Sequence, residues 1–76
     1  MDKKYELVMD EYLIPLWSHR KLYRVRALKD FGDVKKGDIG GYIETEENLP
    51  QDGNCWVYGN ARVYGNARIN NDAGLS

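Results

Sequence analysis

The chain has 76 residues, a net charge of −1, one cysteine and one histidine. That length allows one small domain with a modest core. The near-zero charge gives no global pull toward nucleic acid or membrane, one cysteine closes no disulfide within the chain, and no apolar run nears the roughly 20 residues that span a bilayer. Met1-Asp2-Lys3-Lys4 is followed by no apolar h-region, so it does not read as a secretory signal, and a reduced, cytoplasmic setting is expected.

Residues 4–9 read as a strand, with Tyr5, Leu7 and Met9 alternating against Lys4, Glu6 and Val8. Asp10-Glu11 is expected to break it. Residues 12–17 are apolar and too short for a stable helix, and Pro15 argues against a central strand. They read as an edge strand or a hydrophobic arm, serving as cap, core or partner site. Residues 18–21 read as a turn. Residues 22–28 read as a strand with Tyr23, Val25 and Ala27 on one side and Arg24 and Arg26 on the other. Phe31 follows, Gly32-Asp33 turns the chain, and residues 35–38 carry the chemistry of a β-turn. Residues 1–38 are thus expected to form a β cap over the open top of a coil, satisfying backbone groups there.

From Ile39 to Ser76 the chain repeats every six residues. Val57, Val63 and Ile69 recur on the inward phase, and Tyr58, Tyr64 and Asn70 on the outward one. Gly59 and Gly65 suit corners that need positive φ, followed by Asn60, Asn66 and Asp72. Ala61, Ala67 and Ala73 supply the small side chain that a corner admits. Three hexads make one triangular coil, so position i stacks on i+18. This spacing puts Ile39 on Val57, Ile43 on Ala61, Leu49 on Ala67 and Cys55 on Ala73. The columns Thr45 to Val63 and Gln51 to Ile69 are weaker, which makes the first coil the less regular one.

This pattern resembles the hexapeptide repeat of left-handed parallel β-helix proteins, with glycine two positions after the aliphatic residue instead of one. Residues 22–69 also resemble a group of uncharacterised bacterial and prophage proteins. The resemblance implies an all-β fold: a left-handed parallel β-helix of about two coils (residues 39–76) behind a small N-terminal β cap. Solenoid ends need capping, and no polar capping segment follows Leu75. Self-association through Val57, Val63, Tyr64, Ile69 and Leu75 is therefore expected, with a two-fold homodimer favoured over a frayed or truncated end.

The chemistry-bearing residues are sparse. The hexapeptide resemblance brings in acyltransferases, which use a histidine base between the helices of a trimer. His19, however, lies outside the repeats, with no partner near it in sequence. One histidine and one distant cysteine make no zinc site, and Glu44, Glu46, Glu47 and Asp52 lack calcium-loop spacing. No catalytic residue, metal or cofactor is expected. Arg20, Lys21, Arg24, Arg26 and Lys29, interleaved with Trp17 and Tyr23, could track a phosphate backbone or form the charged face of a strand. Trp17, Arg20, Arg24, Arg26 and Lys29 are the candidate partner-binding residues. The leading expectation is a non-enzymatic, phage-type interaction protein that self-associates and binds a host macromolecule, such as a CRISPR-type defence complex. The alternatives are a fragment of a hexapeptide-repeat acyltransferase and a nucleic-acid-binding module built on residues 20–29.

Overall fold

The computed structural model describes residues 3–17, 19–70 and 74–75, with the side chain of Leu75 left aside. Expectations for Ser18, Asp72, Ala73 and the Leu75 side chain lie outside the described residues. The fold is all-β. Its strands are β1 (Tyr5–Leu13), β2 (Leu22–Ala27), β3 (Ile39–Ile43), β4 (Trp56–Val57), β5 (Arg62–Val63) and β6 (Gly74–Leu75), with one 3₁₀ turn at Glu46–Asn48. An open four-stranded sheet has the order β1-β2-β3-β5, and β4 pairs separately with β6. The two hairpin pairings, β1–β2 and β2–β3, are antiparallel. Both pairings that reach the repeat strands are parallel.

β1 runs on through Asp10-Glu11, where a break was expected. The acidic pair is absorbed by a register shift between Val8 and Tyr12, which leaves residues 9–11 exposed while the strand resumes against β2. A bulge of this kind keeps charges in water without ending the ladder. β1 is an edge strand, and Pro15 falls just past its end, where a missing N–H costs no ladder bond. In β2, Val25 and Ala27 are buried, Tyr23 and Arg24 are half-buried and Arg26 is exposed.

The repeat region stacks at two spacings. Val57 pairs with Leu75 and Trp56 with Gly74, the 18-residue spacing expected of three hexads. Ile43, however, pairs with Val63 and Tyr42 with Arg62, a spacing of 20. The expected stacking of Ile43 on Ala61 is therefore corrected by two residues. The surplus falls in the degenerate hexad after Glu44, which leaves the strand for the 3₁₀ turn. At the regular corners Gly59 and Gly65 take φ of 58° and 63°, while no residue other than glycine has positive φ among the described ones.

Gly40 and Gly41 let the layers meet. A Cβ on Gly40 would sit 2.5 Å from the Val57 carbonyl oxygen and 2.7 Å from the Trp56 ring, and one on Gly41 would sit 2.5 Å from the Ala61 carbonyl oxygen. The Tyr42 amide donates to that same Ala61 oxygen at 2.9 Å. The core between these layers draws on both halves of the chain: Tyr5, Val25, Ala27 and Val34 pack with Ile43, Leu49, Cys55, Trp56, Val57 and Val63.

Candidate functional site

Among the described residues, the densest polar constellation is built where β1 begins. Lys4 is only 1% exposed. Its Nζ donates to the carbonyl oxygens of Cys55 (2.8 Å), Gly53 (3.2 Å) and Asp52 (3.4 Å) and lies 3.2 Å from Cys55 Sγ. The Phe31 ring centroid is 4.8 Å away. The backbone of the same residue is held as well, since its N–H donates to Gln51 Oε1 at 2.8 Å. An open cavity of about 770 Å³ adjoins this point, with Lys3, Lys29, Phe31, Gln51 and Asp52 in its wall.

Next along β1, the fully buried Tyr5 phenol donates to the Leu49 carbonyl at 2.6 Å, and its ring meets Trp56 edge-on at 6.4 Å. Burial, reinforced by the charge of Glu46 and by Cys55, pushes this phenol above its ordinary value. Glu46 accepts from Lys3 and Gln51, and the Lys3 bond in particular holds its carboxyl below the usual range. Tyr58 donates to Asp33 Oδ1 at 2.7 Å, which raises its phenol.

A second polar knot ties the 3₁₀ excursion to the next corner. Asn48 is fully buried. Its Oδ1 accepts from the amides of Glu44 (3.1 Å) and Thr45 (2.9 Å), and its Nδ2 donates to the carbonyls of Gly65 (3.2 Å) and Ala67 (2.8 Å). Glu44 reaches the same corner by accepting from the Gly65 amide at 2.8 Å. That bond first, and Arg20 second, hold its carboxyl below the usual range.

Three of the basic residues singled out in the sequence face partners within the chain. Arg20 Nη1 lies 2.8 Å from both oxygens of Glu44. Arg24 donates to the carbonyls of Gly40 (2.7 Å) and Gly59 (3.3 Å) and to Asn60 Oδ1 (2.9 Å), with its guanidinium 4.5 Å from the Tyr42 ring. It clamps β3 to a repeat corner. Arg26 pairs with Glu6, and Lys29 stands on the cavity wall. Trp17 packs on Tyr64 with ring centroids 4.9 Å apart. Trp17, Arg20, Arg24 and Arg26 thus each engage a different part of the fold, while Trp17, Arg20, Arg26 and Lys29 stay exposed. Of the residues expected to mediate self-association, Val57 and Val63 are buried in the chain's own core, Ile69 is half-buried and Tyr64 is exposed. His19 is exposed. Sequence reasoning missed Lys4 and Asn48, because backbone carbonyls and amides recognise them and leave no pattern in side-chain types.

No family model matches the chain. Over 37 residues, which is 49% of its length, the chain is 49% identical to the uncharacterized acetyltransferase YdcK of Escherichia coli (strain K12). The matched stretch spans 11% of that protein. This similarity supports a hexapeptide-repeat relationship in a loose sense. It overturns the expectation of a chain outside enzyme families, since the protein it resembles is named as an acetyltransferase. It gives no support to a phage or anti-defence role. Among the described residues, no helix is long and apolar enough to cross a membrane.

Proposed function

We propose that this chain is the capping unit of a hexapeptide-repeat acyltransferase, in which it closes one end of a left-handed parallel β-helix and templates the coils stacked on it. The observation that carries this reading is the parallel pairing of Trp56-Val57 with Gly74-Leu75 at a spacing of one three-hexad coil. The similarity to a protein named as an acetyltransferase supports it.

In this reading the division of labour follows the chain. β1, β2 and β3 form the cap, with β3 as the strand shared between cap and coil. Arg24 and the Gly40-Gly41 pair bring that strand against the first regular corners. Asn48 and Glu44 fasten the irregular stretch to the corner at Gly65, so that the following hexads start in register. In this reading the repeat strands of neighbouring copies of this chain form the groove for a thioester donor, so the assembled chain is itself expected to bind and turn over the donor.

The test measures molar mass by light scattering across a dilution series, with thiol release from acetyl-coenzyme A followed in the same samples. A trimer that releases thiol faster than its heat-unfolded control supports the reading. A monomer at every concentration that neither binds nor turns over the thioester overturns it.

A further inference from the structure

Lys4 poses a problem of charge. A buried ammonium is costly unless its hydration is replaced. Among the described residues no carboxylate pairs with it, and the three ion pairs present involve Lys3, Arg20 and Arg26. What replaces the water is a cradle of backbone: the carbonyls of Asp52, Gly53 and Cys55, with the thiol sulfur beside them and the Phe31 ring within cation–π range. Gly53 at φ 74° sets the turn that aims these oxygens at one point. The three N–H hydrogens are shared among three carbonyl oxygens and the Cys55 sulfur. The recognition is of a primary ammonium group as such, and nothing in it requires a lysine at position 4.

From this geometry we propose that the turn at residues 52–55, together with the Phe31 ring, is a binding site for a primary ammonium ion, which this chain fills in cis with Lys4. The open cavity beside it gives a way in, because Phe31, Asp52 and Gly53 line both the cavity and the cradle. Donor count sets the selectivity. A quaternary ammonium keeps the attraction to the ring but has no N–H for the carbonyls. This inference is independent of the acyltransferase reading.

The experiment uses Lys4→Ala, which deletes the equivalent of n-propylammonium and leaves the rest of the site in place. Urea unfolding is followed by tryptophan fluorescence in n-propylammonium chloride and in tetramethylammonium chloride at equal ionic strength. The expected result is a less stable variant whose folding constant rises roughly tenfold once n-propylammonium reaches about ten times its dissociation constant. Tetramethylammonium leaves it unchanged, and the wild type, with its site filled, responds to neither salt. If Lys4→Ala is unfolded in buffer, n-propylammonium is expected to restore its far-ultraviolet β signal. Lys4→Met, whose alkyl chain occupies the entry path, is expected to be destabilised without rescue. An equal response of Lys4→Ala to both salts, a response shared by the wild type, or no response to n-propylammonium at all overturns the proposal.

Discussion

Asn48 offers the sharpest test of how the irregular coil is held. Asn48→Ala removes four hydrogen bonds from side chain to backbone, two from the amides of Glu44 and Thr45 and two to the carbonyls of Gly65 and Ala67, along with a long one from the Thr45 hydroxyl at 3.5 Å. The backbone bond from the Ile69 amide to the Asn48 carbonyl survives the change. At about 1 kcal/mol net for each bond, the loss is about 4 kcal/mol. A 76-residue domain has roughly 4–11 kcal/mol of stability in total, so a third or more of it goes. In thermal terms the midpoint falls by about 20 °C. Asn48→Asp keeps the acceptor but sets a carboxylate oxygen against two carbonyls, so it is expected to be at least as damaging. The assay is urea unfolding read by the fluorescence of Trp56, which is buried in the same core. A loss below about 1 kcal/mol for Asn48→Ala would refute the reasoning, because it would mean that water serves those four backbone groups as well as the amide does.

Gly41→Ala puts a methyl 2.5 Å from both the Ala61 carbonyl oxygen and Val57 Cγ1, and the backbone oxygen cannot swing aside. A loss of about 1–3 kcal/mol is expected, with faster hydrogen exchange at the Tyr42 amide; an unchanged exchange rate there contradicts close contact between the layers. Tyr5 predicts an alkaline limit. Its phenol lies above the ordinary value when folded, so the stability it contributes is complete below about pH 10, the unfolded value, and is lost as pH rises through the folded one. Tyr5→Phe is therefore expected to start less stable at neutral pH, having lost the bond to Leu49, and to show a shallower decline in urea midpoint above about pH 10. Equal slopes in the two proteins would remove Tyr5 as the source.

The regular part of the repeat was legible because its hexads say the same thing at every position. An aliphatic residue, an outward tyrosine, a glycine corner and an alanine recur in the hexads that start at Val57 and Val63, and the one-coil spacing of Trp56 and Gly74 follows. In β2 alternation picked out the buried Val25 and Ala27 but not Leu22, which is buried on the arginine phase. The hexad after Glu44 has no aliphatic residue at its head and no glycine, so nothing in it states that the chain will take two extra residues there. The basic run shows a different limit of sequence reading. Composition counts charges but not what they face, and Arg20, Arg24 and Arg26 face Glu44, a repeat corner and Glu6. Lys4 was read only as one of the residues alternating with Tyr5, Leu7 and Met9. Its partners are carbonyl oxygens, which every residue carries and no sequence displays. The contact between Trp17 and Tyr64 joins an arm to a coil across an irregular connection, where periodicity has no reach.

The separation between Lys4 and its cradle has a consequence for the order of events in time. The β1–β2 hairpin closes over a short stretch of chain and can form early. The first residues of that hairpin are fastened by groups far downstream: the Leu49 carbonyl is 44 residues from Tyr5, and the Cys55 carbonyl is 51 from Lys4. Contacts of such separation wait for the loops between them to close. On a ribosome they also wait for the turn after Pro50 to emerge. Interactions that form after the rate-limiting step govern how slowly a protein comes apart more than how fast it comes together. Lys4→Met is therefore expected to speed unfolding more than it slows folding, and the hairpin that can form first is fastened last.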